Sequence, residues 1–289
     1  MKVYMASQTN SDRYLKDKGS FDIELAFASE VLKLPSLHYG YWLKNEVPYL
    51  SKLPIAQKRY TKFVCKNIPK DVKTILDVGA GVGDVSWELL SRGYQVTALS
   101  PNPTHKEILS KIGEGNKKFK YVFSKFEDLE TNQKYDLLMF NESSSYIDID
   151  KLFQKANLVV NPKGFVQVCD VFSRKSNPPI GKNIYYKHLL GVAKKHLFFE
   201  IKTIDITNNT VPSMQIGKDL NEKYVSPTLA IAKRYYDQEH PIRSFLIKTA
   251  LRIFLKNEIK SFNDYFEKVF NPVEFKKHFT YQLTLFQRK

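Results

Sequence analysis

Asp77-Val78-Gly79-Ala80-Gly81-Val82-Gly83 sets one acidic side chain and three alternate glycines directly after the apolar run Ile75-Leu76. A glycine-rich turn at the end of a buried strand lets the backbone approach a bound molecule closely. The spacing is Gly-x-Gly-x-Gly, whereas a phosphate-cradling dinucleotide turn runs Gly-x-Gly-x-x-Gly. Two other places carry groups that could act on a substrate. Phe140-Asn141-Glu142-Ser143-Ser144-Ser145-Tyr146 puts Asn141 and Glu142 at the end of a second apolar run. Leu37-His38-Tyr39-Gly40-Tyr41-Trp42 combines an imidazole with three aromatic rings. His38, His105, His188, His196, His240 and His278 are dispersed, and Cys65 and Cys169 lie far apart, so the chain has no metal signature.

The elements that must position these groups follow from periodicity. Residues 21–34 have apolar positions at helical spacing and stop at Pro35; a second helix is expected over 54–67. From residue 74 strands and helices alternate. Strands are expected at 74–78, 94–99, 120–123, 135–140 and 165–171, and helices at 84–92, 102–112 and 149–160, with a turn at Pro162-Lys163-Gly164. Gly93 stops one helix and Pro103 sits in the first turn of the next. This alternation predicts an α/β fold, a parallel sheet with helices on both faces. Beyond Phe172 a helix over 184–196 and a strand over 198–206 are expected, then a largely helical stretch to 279 and an alternating strand at 281–286. The helical stretch is read as a cap inserted before the last strand. The expected division is a helical lid over 1–70, a cofactor-binding core over 71–212, the cap over 213–279 and a core-completing strand over 280–289.

Composition narrows the class. The chain has 289 residues and 43% hydrophobic residues, enough for one large domain and ordinary for a globular protein. No run of about 18 apolar residues occurs. Met1 to Arg13 is polar and lacks a signal-peptide core, and two cysteines in apolar segments suit a reduced compartment, so a cytoplasmic location is expected. The net charge of +15 invites a nucleic-acid reading. The basic residues are scattered rather than clustered, however, and no separate RNA-binding module fits in so short a chain. A negatively charged small substrate or an anionic membrane surface would use the same charge. Oligomeric state is left open.

Ile75-Leu76-Asp77-Val78-Gly79-Ala80-Gly81-Val82-Gly83-Asp84 resembles the first motif of class I methyltransferases that use S-adenosyl-L-methionine, and the resemblance extends over roughly residues 36–172. It implies a Rossmann-like methyltransferase sheet. It also implies that Asp77 sits near the amino group of the cofactor, while Gly79, Gly81 and Gly83 make room for its methionine part. The family places an acidic residue at the end of the second strand to hold the ribose; this chain has Ser100, followed by Pro101-Asn102. A serine offers one hydroxyl where a carboxylate takes two hydrogen bonds. Lys125 stands where the family often has an Asp facing adenine, so adenine contacts fall to the Phe126 backbone or to Glu127.

At the end of the fourth strand, DNA-methylating relatives show Asp/Asn-Pro-Pro-aromatic. Asn141-Glu142-Ser143 instead resembles enzymes acting on small molecules or lipids, and Tyr39 and Tyr41 resemble segments that fold over the cofactor. Candidate bases are Glu142, then His38, and more remotely His240. Tyr146, Met214 and His240 are expected to line the acceptor pocket. A helix over 242–259, holding Phe245 and Phe254, is expected to pack on the domain, or also to wall that pocket or rest on an anionic membrane. The missing metal signature disfavours the metal-dependent catechol type. The expected function is methyl transfer to a small apolar or amphipathic, lipid-like acceptor. The alternatives are an RNA methyltransferase and a non-catalytic binding protein on the same fold.

Overall fold

Five parallel strands form the centre of the protein: β1 (Thr74–Val78), β2 (Gln95–Leu99), β3 (Phe119–Val122), β4 (Tyr135–Asn141) and β5 (Val160–Ser173). β6 (Phe198–Asp205) and β7 (Phe279–Arg288) complete a seven-stranded sheet in the order β3-β2-β1-β4-β5-β7-β6. β7 runs antiparallel between β5 and β6. The computed structural model describes residues 27–177, 184–245, 249 and 270–289.

The period-two alternation of the central strands supplies two cores. Ile75, Leu137 and Met139 point to one face; Leu76, Val78, Leu138 and Phe140 point to the other. α1 (Leu53–Lys66), α2 (Asp84–Ser91) and α3 (Pro103–Gly113) cover the first face through Tyr60, Val64, Val85, Leu89 and Leu109. α4 (Ile149–Val159) and α5 (Tyr186–Lys195) cover the second through Leu152, Phe153, Ala156, Leu189 and Val192. Capping fixes where these helices begin. The Asn102 carboxamide accepts the Thr104 N–H at 3.0 Å, and the Asp148 carboxylate accepts the Asp150 and Lys151 N–H groups at 3.1 and 3.0 Å.

β2 and β3 lie on one side of β1, while β4 and β5 lie on the other. The chain therefore reverses its winding between β1 and β4. Connections leaving the carboxyl ends of those two strands diverge, and in open α/β sheets the crevice between them is where ligands bind.

Three segments differ from expectation. Within the expected helix over 21–34, residues 21–26 lie outside the described residues, and the rest shows only a π-helical turn at Phe27–Val31. Lys33 takes a left-handed φ of 54°, and the chain then runs irregularly, pinned by the Gln57 carboxamide donating to the Ser36 and His38 carbonyls at 2.8 and 2.9 Å. The turn expected at Pro162-Lys163-Gly164 is absorbed into β5 as an irregularity: Lys163 has φ 61° and the register against β4 shifts between Tyr135 and Leu137. The polar positions of β7 are buried rather than solvated. Thr284 meets the Tyr186 hydroxyl at 2.9 Å and Thr280 the Thr207 hydroxyl at 3.2 Å.

Between β6 and β7 stand α6 (Thr207–Leu220), a π-helical turn at Asn221–Val225, α7 (Ser226–Glu239), a helical stretch over 241–245 and α8 (Pro272–His278). The rest of the expected helix over 242–259, Phe254 included, lies outside the described residues apart from Thr249. α7 buries none of its residues. Among the described residues no helix is long and apolar enough to cross a membrane.

Candidate functional site

The turn after β1 is built on left-handed backbone. Gly79, Gly81 and Gly83 have φ of 74°, 57° and 84°. The N–H groups of Gly79 and Ala80 both donate to the Leu99 carbonyl, at 2.8 and 3.1 Å, which folds the turn over the end of β2. The three glycines serve different ends. A Cβ on Gly79 would lie 2.5 Å from Cβ of Ser143, and one on Gly83 would lie 2.4 Å from Cδ1 of Ile112, so both positions are closed by packing. A Cβ on Gly81 would meet nothing within 4 Å. Asp77 is buried on the α2 face, where its Oδ2 accepts the Ser86 hydroxyl at 2.7 Å. Burial pushes its carboxyl up to about 7, and the Ser86 hydrogen bond offsets this only in part.

Across the crevice, Asn141 ends β4 with both Oδ1 and Nδ2 buried and unpartnered. Each such group costs about 1–3 kcal/mol unless a bound polar molecule satisfies it. Glu142 follows with a left-handed φ of 53°, held there by its N–H donating to the Cys169 carbonyl at 2.8 Å. Its Oε1 accepts the Tyr281 hydroxyl at 2.5 Å and the Tyr39 N–H at 3.2 Å. Among the described residues Oε2 has no hydrogen-bond partner. Burial pushes the Glu142 carboxyl up to about 7; the charge of His38 and the Tyr281 hydrogen bond oppose the rise, and Asp170 adds to it.

The aromatic segment forms a strap above both loops. His38 Nε2 lies 2.7 Å from Asp84 Oδ2 and 3.2 Å from the Thr61 hydroxyl, while its Nδ1 is buried without a partner. Burial raises the Asp84 carboxyl, but the His38 imidazole and Thr61 outweigh it and hold it below its ordinary value. Tyr39 sits edge-on to Tyr281, with ring centroids 6.3 Å apart, and Tyr41 stacks on Phe63 at 4.8 Å. Trp42 is fully buried, and its indole N–H donates to the Ser213 hydroxyl at 2.8 Å. Ser213 in turn donates to the Tyr39 carbonyl. Pro212 interrupts the hydrogen-bond ladder of α6, and the Asn209 carbonyl accepts the Trp42 N–H at 2.8 Å. The strap is thus tied to α1 below and α6 above.

The remaining predicted residues fall in different surroundings. Ser100 is buried at the end of β2, and its hydroxyl accepts the Asn102 N–H at 3.2 Å and contacts His105 Nδ1 at 3.1 Å. The Phe126 ring is buried against Phe140, centroids 5.2 Å apart, leaving its backbone in the loop after β3 with half-buried Glu127. Tyr146 closes a 3-10 turn at Ser144–Tyr146, its N–H donating to Ser143 at 3.3 Å. Met214 is fully buried among Val211, Phe270, Phe275 and Phe279, with Tyr39 packed against the cluster. His240 is exposed at the end of α7, its ring over Tyr236, and no described contact joins it to the crevice.

Sequence reasoning missed four groups: Tyr281, Tyr60, Asp84 and Asp170. Asp170 is buried on β5, accepts the Ser144 hydroxyl at 2.7 Å, and is raised by burial. Asp84 alone carried a signal, as the acidic residue following the last glycine.

Comparison with known proteins bears on this arrangement. Residues 75–164 match a family model described as a methyltransferase domain. The ubiquinone biosynthesis O-methyltransferase of Rickettsia bellii is 26% identical over 174 residues, which cover 58% of this chain and 72% of that protein. The geranyl diphosphate C-methyltransferase of Streptomyces coelicolor superposes with a TM-score of 0.63 at 14% identity, covering 98% of this chain and 99% of that one. An O-methyltransferase from a trans-AT PKS multienzyme of Brevibacillus brevis, solved with S-adenosyl-L-homocysteine, gives a TM-score of 0.58 at 16% identity over 82% of this chain and 73% of that one. The two structural likenesses speak to the fold; the domain match and the curated relatives, set on a glycine turn with open space at Gly81, speak to the family. The chain carries a methyltransferase domain of the class I S-adenosyl-L-methionine-dependent type.

Proposed function

We propose that this enzyme methylates a phenolic hydroxyl on a small acceptor with an apolar body, and that Glu142 is the base. The observation that carries the reading is a half-buried carboxylate at the end of β4, raised to about 7, with Oε2 left without a partner among the described residues. A general base works best with a pKa near the operating pH. A phenol, with a pKa of about 10, lies within reach of such a base, whereas an aliphatic hydroxyl is a far weaker acid. The R. bellii relative is named as an O-methyltransferase, which supports oxygen as the acceptor atom. The apolar cluster around Met214 and Tyr39 supports an apolar body, since its burial gains roughly 25 cal/mol per Å².

The cofactor supplies the methyl group, carried on a sulfonium. Three features of this chain fit it: the open space at Gly81, the unpartnered carboxamide of Asn141, and the buried Asp77 carboxylate suited to an ammonium group. Gly79 and Gly83 shape the turn, Ser100 with the Asn102 turn borders the ribose, and the Phe126 backbone with Glu127 borders adenine. Tyr39 and Tyr41 close the crevice from the strap, Tyr146 borders the acceptor, and His38, fixed by Asp84, steadies the charge of Glu142.

Labelled methyl transfer to four acceptors tests the reading: a prenylated catechol, a prenyl alcohol, a primary amine and total RNA. Label is expected in the catechol alone. Label in RNA, the amine or the alcohol instead would overturn it. Cofactor affinity should also depend on pH. Asp77 is protonated below about 7, and a cationic partner requires it ionised, so affinity should fall as pH drops below 7 and level off above it, by up to about tenfold per unit. Calorimetry at pH 6 and 8 measures this; Asp77→Asn should be flat across the same range, and a wild-type protein equally flat would remove Asp77 from the cofactor site.

A further inference from the structure

The Glu142 carboxylate is the end of a polar chain that runs through two buried tyrosines on the α1 face of the sheet. Tyr281, on β7 opposite Val171 of β5, is fully buried and donates to Oε1 of Glu142 at 2.5 Å. Its oxygen lies 3.0 Å from the hydroxyl of Tyr60, which is fully buried on α1. A phenol has one proton and spare lone pairs. The Tyr281 hydroxyl thus lies between the Glu142 carboxylate and the Tyr60 hydroxyl, within hydrogen-bond distance of both. The rings lock each other edge-on, with centroids 6.2 Å apart, and Tyr281 meets Tyr39 of the strap in the same way.

We propose that Tyr281, backed by Tyr60, is a positioning residue that fixes Oε1 of Glu142 and leaves Oε2 as the atom that takes the acceptor's proton. The inference rests on the reading of Glu142 as the base. Both lone-pair directions of Oε1 are occupied, one by the Tyr281 hydroxyl and one by the Tyr39 N–H, so the carboxylate is clamped on one side only. The donors come from a sheet strand and from a strap tied at both ends, neither of which rotates freely.

The charged and titratable groups around Glu142 come from every neighbouring element. His38 and Asp84 lie toward the strap and α2, Asp170 and Cys169 on β5, Tyr60 on α1, and Tyr281 on β7. Of these, Tyr281 is the one that hydrogen-bonds the carboxylate through a side chain. Burial and the neighbouring Glu142 charge hold its own hydroxyl protonated, well above the usual tyrosine range. It therefore stays a donor while the carboxylate changes charge.

The test is the titration of the Glu142 carboxyl carbon, followed by NMR in ligand-free protein carrying [δ-13C]glutamate, with the signal assigned through Glu142→Gln. Tyr281→Phe keeps the ring and removes the donor. It should raise the midpoint by about one unit, as expected for losing a hydrogen bond to a carboxylate. Tyr60→Phe should raise it by less. Binding of S-adenosyl-L-homocysteine confirms that each variant is folded. An unchanged or lowered midpoint in folded Tyr281→Phe overturns the proposal; if that variant does not fold, an unchanged midpoint in Tyr60→Phe overturns it. The base reading fails separately, by full turnover in Glu142→Gln, because the titration does not depend on turnover.

Discussion

Gly81→Val is expected to weaken S-adenosyl-L-homocysteine binding by at least about 100-fold, equivalent to about 3 kcal/mol. Valine adds three carbons at a position where a Cβ meets nothing within 4 Å, filling space that the cofactor would take. The substitution also forces a β-branched residue into a left-handed φ of 57°. That strain alone could destabilise the turn, so it needs its own control. Gly93 provides one: it too is left-handed, with φ 91°, and a Cβ there meets nothing within 4 Å, but it stops α2 at the opposite end of that helix from the glycine turn. Gly93→Val should lower the melting temperature by a similar amount and leave affinity unchanged. Calorimetric titration of both variants separates the effects. Wild-type affinity in folded Gly81→Val would place the cofactor elsewhere.

Glu142→Gln should lower turnover by about 10²–10⁴-fold, the usual worth of a general base, with cofactor affinity nearly intact. The same variant should be more stable than the wild type in alkaline solution. The sign follows from the raised pKa. The unfolded side chain titrates near 4.3 and the folded one near 7, so between these values the native state holds a proton that the unfolded state has lost. Stability contributed by Glu142 is therefore full below about pH 4 and falls as pH rises toward 7, then levels off. Glutamine carries no such penalty. At pH 8 the variant should melt above the wild type, and the gap should close toward pH 5. A lower melting temperature at pH 8 would mean that the carboxylate is a structural support rather than a strained functional group.

The parts of this molecule that were legible in its sequence are those where local pattern and tertiary role coincide. β1 and its turn were readable because Thr74-Ile75-Leu76 can only be a buried strand and the glycines after it can only be a turn. The succession of β1 to β5 along the chain followed from the same alternation. Glu142 was readable as a strand-end carboxylate. Its partners were not: Tyr281 is 139 residues away in the last strand, and Tyr60 belongs to the apolar stripe of α1. A phenol in such a stripe looks like packing until the sheet brings a carboxylate to it. Of the expected helix over 21–34, the described residues show only the turn at Phe27–Val31, and Lys33 leaves it with a left-handed φ of 54°. His240, read as a pocket residue, is exposed at the end of α7, where helical periodicity says nothing about which way the helix faces.

The measurement that bears most directly on the whole account is the pH dependence of single-turnover methyl transfer to a prenylated catechol, run at saturating cofactor in wild type and Glu142→Gln. The wild-type rate should rise about tenfold per unit below pH 7 and flatten above it, as Glu142 loses its proton and becomes available to the phenol. The glutamine variant should be slow at neutral pH and lack that limb. A wild-type rate independent of pH between 5.5 and 8.5, or a glutamine variant that keeps the limb near 7, would contradict the assignment of proton removal to Glu142.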